Sequence, residues 1–314
     1  MKKIFAFALF AFIVSCQEEI QERGTPNPTN PGTDNGNPLP PTEPVAGKYA
    51  NCLSVHNNAT LDVATWNIEN FPNNGTTTLN LAKEIINTMD ADIIAVQEIV
   101  SGTNFNTLIA SLDGYAGVVV GSGGSQKLGY IYKTSEITSF ETPVELFTDD
   151  NCAFPRPALK TTLTHVSGKQ VTFINVHLKC CDDAPTQSCL GGIERRRQAS
   201  TKLKAYIDQN LSNQAVIVLG DWNDDITQPE GNQVFSNFVN DANNYKFADM
   251  PIATGSTANF SYQSTQYLSH LDHILISNEL FNNLGVVRTA VLSTCEPQYK
   301  NSVSDHYPVI MRLQ

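Results

Sequence analysis

Six short motifs in this sequence place polar side chains directly beside apolar runs. They are Trp66-Asn67-Ile68-Glu69-Asn70, Gln97-Glu98, Asn175-Val176-His177-Leu178, Gly220-Asp221-Trp222-Asn223, Leu271-Asp272-His273 and Ser304-Asp305-His306-Tyr307-Pro308. A solvated sheet edge explains one or two such coincidences but not six, because a polar cluster beside a buried core is costly unless a metal or substrate uses it.

The chemistry that fits these residues is phosphate ester hydrolysis assisted by a hard cation. Asn67, Glu98 and Asp305 offer oxygen ligands, which suit Mg²⁺ or Mn²⁺ better than Zn²⁺. Asp221 and Asn223 lie two residues apart and can hold the attacking water between a carboxylate and an amide.

Two histidines and the net charge complete this hypothesis. His177 and His306 can stabilise or protonate phosphate oxygens. The net charge of -11 excludes attraction of a polyanion by overall charge. A bound divalent cation removes the conflict between an acidic protein and an anionic substrate.

The elements that must position these motifs alternate between strand-like and helix-like patterns. Residues 61–66 alternate with period two and predict a half-buried strand, whereas the apolar runs 93–96 and 216–219 predict buried strands. Helical spacing predicts helices within 79–89 and 194–211. Further strand candidates are 129–132, 171–176, 274–276 and 309–311. We expect an α/β protein with roughly ten or more strands.

The N-terminal residues predict export. Two lysines precede an apolar run from Ile4 to Val14, which is too short for a membrane span of about 20 residues and is typical of a signal peptide. The stretch that ends in Cys16 resembles a bacterial lipobox, so we expect removal of residues 1–15 and a lipid on Cys16. Ordinary cleavage nearby, with Cys16 incidental, is the alternative.

Two further regions follow the expected lipid anchor. Residues 16–50 are rich in Pro, Thr and Asn and predict a disordered tether. Residues 51–314 contain no comparable break and predict one catalytic domain. We expect a monomer held through the Cys16 lipid at the outer membrane or cell surface, the periplasmic face being the alternative.

The remaining cysteines favour disulfides, because an even number of them in an exported chain is typical of bridging. They are Cys52, Cys152, Cys180, Cys181, Cys189 and Cys295. The cluster at 180–189 holds neither a histidine nor a CxxC spacing, which disfavours a metal site. We expect Cys189 to pair with Cys180 or Cys181.

Taken in order, the six motifs closely resemble the endonuclease/exonuclease/phosphatase superfamily, the fold of DNase I-type and exonuclease III-type enzymes. The resemblance covers about residues 60–314. It implies a four-layered α/β/β/α sandwich of two mixed sheets flanked by helices, with the site at one rim. It also implies a Mg²⁺-dependent phosphoric ester hydrolase, with Mn²⁺ as a second possible metal.

The resemblance implies roles for the acidic and amide residues. Glu98 is similar to the family's principal metal ligand, with Asn67 and Asp305 in support. Asp221 is similar to the base or water-orienting residue, and Asn223 to its partner at the phosphate.

The resemblance also implies roles for the histidines and one arginine. His306 is similar to the essential final histidine, and His177 to the histidine of DNase I-type nucleases. Asp272 resembles the acid that orients His177 or a phosphate oxygen, and Arg156 resembles an arginine that binds a substrate phosphate. At Gln126 the sequence departs from DNase I-type members, which have a glutamate there that supports the histidine.

Several other residues favour a structural interpretation. Trp66 and Trp222 adjoin buried strands and are expected in the core rather than under a substrate. The three arginines at 195–197 are expected on a solvated helix face rather than in a nucleic-acid groove. His273 alternates with Asp272 along a strand and is expected to face away from the site.

The leading functional hypothesis is an exported nuclease that hydrolyses extracellular DNA or RNA, and His177 and Arg156 motivate that choice. Phospholipid head groups, as in sphingomyelinase-like members, or inositol phosphates are alternative substrates, with Tyr262 and Tyr267 as candidate lipid contacts. A surface binding module without catalysis is a third hypothesis. It is disfavoured because every expected acid, amide and histidine is present.

Overall fold

The computed structural model describes residues 47–53, 60–122, 124–264 and 267–314. The expected signal peptide, Cys16 and all but the last few residues of the expected tether lie outside the described residues. In these four ranges, the helices are too short or too polar to cross a membrane.

Fifteen strands and six α-helices form the part of the chain that the structure describes. The strands are β1 Leu61–Phe71, β2 Ile93–Ile99, β3 Tyr115–Val120, β4 Lys127–Lys133, β5 Ile137–Phe140, β6 Val144–Leu146, β7 Ala158–His165, β8 Gln170–His177, β9 Val216–Asp221, β10 Tyr245–Phe247, β11 Tyr262–Gln263, β12 Leu268–Ser269, β13 Asp272–Ser277, β14 Leu284–Thr289 and β15 Val309–Leu313. The helices are α1 Gly75–Met89, α2 Gly102–Ala110, α3 Gly192–Asn210, α4 Ser236–Val239, α5 Met250–Ala253 and α6 Tyr299–Ser302. Short 3₁₀ helices occupy Thr257–Asn259, Asn278–Asn283 and Leu292–Thr294.

Two large sheets pack against each other, with helices on their outer faces. One sheet has the order β14-β15-β1-β2-β4-β3, and the other has the order β10-β13-β9-β8-β7-β5 with β6 also paired to β7. Both sheets are mixed, because β1 and β2 are parallel, as are β8 and β9, whereas their other pairs are antiparallel. Apolar clusters fill the space between the sheets and beneath the helices on each side. The predicted α/β/β/α sandwich is confirmed.

Strand β1 differs from its prediction, because it is buried on both faces rather than half-buried. Leu61 and Val63 pack between the sheets, while Trp66 packs on the helical side. The polar residue that created the alternation, Asp62, is buried with its carboxylate 2.8 Å from Arg312 Nε. A central strand covered on both sides needs such a partner for each polar residue.

The disulfide prediction for Cys189 is wrong. The two disulfides join Cys52 to Cys295 and Cys152 to Cys189. Strands β7 and β8 are antiparallel neighbours, so the segment before β7 and the segment after β8 leave the sheet at the same edge. That edge brings Cys189 to Cys152 and leaves Cys180 and Cys181 outside both bridges.

Candidate active site

The strand faces between the two sheets change from apolar to polar towards one rim. In β8, Phe173 lies in the apolar cluster between the sheets, and Asn175 and His177 follow at two-residue intervals. In β9, Leu219 lies in that cluster and Asp221 follows. Because every second side chain of a strand points to the same face, these polar residues continue the inward face of each strand and lie at the rim. Strands β1, β2 and β13 show the same change.

A hydrogen-bonded amide bridge connects the two sheets just below the site. Gln97 Nε2 donates to Asn175 Oδ1 at 2.8 Å, and Asn175 Nδ2 donates to the Val96 and Gly129 carbonyls at 3.1 and 3.0 Å. Both amide side chains are fully buried, so each hydrogen bond replaces one lost to water. The bridge fixes the distance between the two sheets at the site end.

Glu98 reaches the site through a local backbone irregularity. The pairing of β2 with β4 shifts register between Val96 and Ile99, and Glu98 has a φ of 63°. Glu69 and Asn223 also have positive φ values, of 36° and 55°. Bulges and residues in the left-handed conformation redirect side chains and are common at functional sites. The backbone of this rim is therefore typical of a functional site.

Gly220 allows β8 and β9 to approach closely beside the site. Its φ is 146°, and a Cβ atom there would lie 1.9 Å from the Val176 carbonyl oxygen. Only glycine fits, and the close approach places His177 Nε2 3.4 Å from Asp221 Oδ2.

Asn67 lies at the centre of the first acidic group. Its Nδ2 donates to Glu98 Oε1 at 3.1 Å and to Asp221 Oδ2 at 2.9 Å. His177 Nε2 lies 3.7 Å from Glu98 Oε1. One ligand atom each from Glu98, His177 and Asp221 lie within 4.8 Å of one another, which is close enough to share an ion.

A histidine–aspartate pair forms the second group. His306 Nδ1 bonds Asp272 Oδ2 at 2.7 Å, and His306 Nε2 faces Asp221 Oδ2 at 3.9 Å. Burial lowers the pKa of His306, but the carboxylates of Asp272 and Asp221 raise it more, to well above its ordinary value. Burial raises the pKa of Asp221 to about 7, against the effect of His306. Asp272 thus orients His306, and the expected alternative in which it orients His177 is wrong.

Asp305 lies next to Glu69 and His306. Its backbone N–H donates to Glu69 Oε2 at 3.1 Å, and its Oδ1 lies 3.9 Å from His306 Nε2. Among the described carboxylate, imidazole and thiol groups, Asp305 belongs to none of the clusters that could share one ion. The Asp305 carboxylate thus borders His306, and the Asp305 backbone borders Glu69, while a shared ion between Asn67, Glu98 and Asp305 stays a prediction.

Glu69 is a site residue that the sequence reasoning missed. Its backbone N–H donates to Asn67 Oδ1 at 3.0 Å. Burial, followed by the charge of Asp305, raises the pKa of the Glu69 carboxyl to about 7. The available signal was its position two residues after Asn67 within the same polar motif.

The candidate substrate-binding residues meet at one carbonyl group. Arg156 Nη2 and Asn223 Nδ2 each donate to the Leu178 oxygen at 3.1 Å. The Asn223 backbone N–H donates to Asp221 Oδ1 at 3.0 Å. The Leu178 carbonyl therefore links the predicted phosphate-binding arginine to the residues around Asp221.

His177 is held differently from a DNase I-type histidine. Burial lowers its pKa well below the ordinary value, and the positive charge of Arg156 acts in the same direction. Its buried Nδ1 has no hydrogen-bond partner among the described residues. Gln126 donates instead to Asn70 Oδ1 at 3.0 Å, so it does not replace the glutamate.

Trp66, Trp222 and His273 take the structural roles that the sequence predicts. Trp66 and Trp222 are buried in apolar clusters, as expected. His273 faces away from the site, as expected, and bonds Asp249 Oδ2 at 2.6 Å.

The expectation of a solvated face is wrong for Arg196, which is only 3% exposed. Its guanidinium bonds the Asp224 and Asp182 carboxylates, each at 2.8 Å. It also donates to the Lys179 and Cys181 carbonyls at 3.0 and 2.9 Å. A guanidinium can satisfy several acceptors in fixed geometry, and here it joins the loop after β8 to the loop after β9.

The donor set fits a divalent cation. Five carboxylates converge with two histidines on this rim, namely Glu69, Glu98, Asp221, Asp272 and Asp305. Buried carboxylates that crowd one another are costly unless a cation neutralises them. Oxygen donors in this number are typical of Mg²⁺ or Mn²⁺.

The order of these residues along the chain can be compared with known families. The model of the Endonuclease/Exonuclease/phosphatase family matches residues 64–306, which include all the predicted site residues. The chain belongs to this family. Members of the endonuclease/exonuclease/phosphatase family are phosphoric ester hydrolases that depend on divalent metals.

Solved structures of the family share the fold of this chain. TDP2 of D. rerio, complexed with single-strand DNA product, has 13% identity and a TM-score of 0.62 over 82% of this chain and 99% of that chain. The 3′ phosphatase NExo from Neisseria, bound to a product DNA hairpin, has 16% identity and a TM-score of 0.60 over 81% and 99%. The mannosyl-6-phosphatase Bt3783 of Bacteroides thetaiotaomicron has 17% identity and a TM-score of 0.53 over 81% and 99%. No curated protein matches the sequence significantly.

Proposed function

We propose that this protein is a divalent-metal-dependent phosphodiesterase that hydrolyses phosphodiester bonds of extracellular DNA or RNA. The observation that carries the proposal is the buried Asp272–His306 pair, whose free-facing Nε2 points at Asp221 across from Glu98. Acid, base and metal-binding groups thus line one rim of the sandwich, as hydrolysis of a phosphate ester requires.

We assign the metal to the predicted ligands Asn67, Glu98 and Asp305, with Mg²⁺ or Mn²⁺ as the ion. When bound, such an ion neutralises phosphate charge that this acidic chain cannot neutralise by itself. The Asp305 backbone N–H donates to the Glu69 carboxylate, which keeps Asp305 on the same acidic rim.

Side chains of the protein activate the water, donate a proton and bind the phosphate. Asp221, with a pKa raised to about 7, can hold the attacking water and take its proton near neutral pH. The backbone N–H of Asn223 donates to the Asp221 carboxylate and keeps it in place. His306, held protonated by Asp272, offers its Nε2 proton to a phosphate or leaving-group oxygen. Arg156 and Asn223 bind the phosphate next to the Leu178 carbonyl.

A nucleic acid substrate is favoured over a phospholipid by the position of Tyr262. Its ring packs 4.9 Å from the His306 ring, so this residue of the β11–β12 hairpin lies at the site. Aromatic rings beside a phosphodiester site suit stacking with a base or sugar. A phosphomonoester is the second candidate, because NExo is a 3′ phosphatase and Bt3783 a mannosyl-6-phosphatase.

Export and anchoring are part of the proposal and depend on the first residues. The apolar run from Ile4 to Val14 and the lipobox-like Cys16 support a lipid-anchored bacterial protein at the outer membrane or cell surface. Metabolic labelling with a fatty acid analogue, compared with Cys16→Ser, tests this point, since an unlabelled wild type contradicts it.

The activity is tested on six substrates, each with Mg²⁺, with Mn²⁺ and with a chelator. They are plasmid DNA, structured RNA, a 3′-phosphorylated DNA hairpin, mannose 6-phosphate, sphingomyelin vesicles and inositol phosphates. We expect nucleic acid cleavage that disappears with chelator and in Glu98→Gln. Cleavage of only the monoesters or only the lipids would replace the nuclease proposal, and inactivity on every substrate would favour the binding-module hypothesis.

A further inference from the structure

Two adjacent cysteines lie close to the site and outside both disulfides. The Sγ atoms of Cys180 and Cys181 are 3.1 Å apart, and both residues are partly exposed. A disulfide has an S–S distance of about 2.05 Å, so the two sulfurs need to approach by only about 1 Å to bond.

The surroundings of the pair favour thiol chemistry. The Lys179 ammonium lies 3.9 Å from Cys180 Sγ and also pairs with the Asp183 carboxylate. A cation next to a thiol favours the thiolate, which is the nucleophile in disulfide exchange. The partial exposure of Cys180 and Cys181 allows a small reagent to reach the sulfurs.

The backbone of the pair is tightly held. Cys181 has a φ of 65°, and its carbonyl accepts a hydrogen bond from Arg196 at 2.9 Å. A Cβ atom at Gly192 would lie 1.9 Å from the Cys181 oxygen, so the start of α3 packs directly on this carbonyl. Closing a ring that contains the 180–181 peptide constrains the φ of Cys181, and we expect this to shift the adjoining Cys181 carbonyl and weaken its bond to Arg196.

The pair is two residues from a carbonyl that the proposed site uses. Leu178 is followed by Lys179 and then Cys180, and its oxygen accepts hydrogen bonds from Arg156 and Asn223. Arg196 also holds the Lys179 carbonyl, at 3.0 Å. A shift at the cysteines therefore reaches the phosphate-binding side chains through three consecutive peptide groups.

We propose that Cys180 and Cys181 form a vicinal thiol pair that a low-molecular-weight disulfide oxidises to a ring disulfide, which weakens substrate binding by moving the Leu178 carbonyl. The Cys180 thiolate attacks one sulfur of the reagent and releases the first reagent thiolate. The Cys181 thiolate then attacks the Cys180 sulfur and releases the second. Two electrons pass to the reagent, and the two cysteine protons end on the released thiols. The effect on binding depends on the proposed function, whereas formation of the ring does not.

The test equilibrates the full chain with oxidised and reduced glutathione at a series of ratios. Thiols are then blocked with N-ethylmaleimide, and peptides are mapped without reduction. As the ratio of oxidised to reduced glutathione rises, we expect the peptide that contains Cys180 and Cys181 to change from carrying two N-ethylmaleimide groups to carrying none. With Mg²⁺ and a phosphodiester substrate, we expect kcat/KM to fall by about tenfold over the same range, mainly through KM.

The matched control is the Cys180→Ser/Cys181→Ser double variant. It keeps Cys52–Cys295 and Cys152–Cys189, so any effect of glutathione on those bridges occurs in both proteins. We expect its kcat/KM to stay constant at every ratio. Two blocked thiols at every ratio would overturn the ring, and a ring that leaves KM equal to that of the control would overturn its effect on the site. If neither protein hydrolyses any substrate, the proposed function fails, while peptide mapping still decides whether the ring forms.

Discussion

Two consecutive residues of β13 belong to two buried histidine–aspartate pairs that serve different purposes. Asp272 bonds His306 Nδ1 at 2.7 Å on the face towards the site, and His273 Nδ1 bonds Asp249 at 2.6 Å on the opposite face. Burial lowers the pKa of each imidazole, but the adjacent carboxylate raises it more. The chemistry of the two pairs is therefore the same, and their surroundings differ.

The difference lies in the second ring nitrogen. His273 Nε2 bonds the Asp224 carbonyl at 3.0 Å, so both of its nitrogens are used inside the fold. His306 Nε2 lies 3.9 Å from both Asp221 Oδ2 and Asp305 Oδ1, beyond hydrogen-bond distance. A histidine–aspartate pair of this kind becomes available for proton transfer when its second nitrogen faces carboxylates from beyond hydrogen-bond distance.

The strongest way to test this comparison is to replace each histidine by asparagine, whose amide can keep the bond made by Nδ1. We expect His306→Asn to lower kcat by about 10²–10⁴-fold, because the group that transfers the proton is lost. We expect His273→Asn to lower the free energy of unfolding and leave kcat nearly unchanged. Steady-state kinetics and urea unfolding of both variants provide the measurement. Equal losses of kcat in the two variants would remove the distinction.

The next effect is on stability. Asp249→Ala leaves His273 buried without its carboxylate, and we expect the free energy of unfolding to fall by about 3–5 kcal/mol. Asp113→Ala, at an exposed position, serves as the control and should change it by less than about 0.5 kcal/mol. Urea denaturation measures both values. A loss below about 1 kcal/mol for Asp249→Ala would show that this pair does not support the fold.

Arg196 extends the structural pair, because Asp224 accepts from His273 through its carbonyl and from Arg196 through its carboxylate. We expect Arg196→Met to lower the free energy of unfolding by about 2 kcal/mol, since hydrogen bonds between charged groups are lost. Arg197→Met is the matched control, because the Arg197 side chain is 39% exposed and forms an ion pair with the nearby, similarly exposed Glu194. We expect a change below about 0.5 kcal/mol there. Thermal and urea unfolding of both variants decide the point, and equal losses would contradict it.

The smallest predicted effect is a pH dependence of the structural pair. Burial raises the pKa of Asp249, but His273 and His270 lower it more, so its stabilising effect is present above its unfolded pKa of about 3.9. The pKa of His273 is raised, so its effect is complete below about 6.5 and is lost as the pH rises through the folded value. We expect the stability difference between wild type and Asp249→Asn to be largest from about pH 4 to 6.5 and to decrease as the pH rises through the folded pKa of His273. Urea unfolding at several pH values measures it, and a constant difference would contradict the assignment.

The site residues that lie on regularly alternating strands could be predicted from the sequence. His177 and Asp221 continue the inward faces of β8 and β9 at two-residue spacing, so an alternation pattern locates them at the rim. The order of the motifs then supported the family and the sandwich. Burial on both faces of β1 was not visible, because Asp62 has a partner 250 residues away in Arg312.

The rest depends on contacts that no local pattern contains. The direction of the Glu98 side chain comes from a register shift, and the partner of Asp272 comes from a segment 34 residues later. Arg196 sits in a run of three arginines that is typical of a solvated face, yet two loops close over it. Long-range packing decides each of these cases, and propensity does not.

The amide bridge between Gln97 and Asn175 has a mechanical consequence for the sandwich. Apolar layers tolerate sliding, because their contacts have no preferred direction, whereas an amide hydrogen bond breaks when its partners shift by about 1 Å. The bridge therefore fixes the relative position of the two sheets at the site end, whereas their apolar contacts elsewhere do not. Substitutions in the apolar core between the sheets can therefore be accommodated by small shifts of the strands away from the site. The distance between the carboxylates of the two sheets at the site is then unchanged.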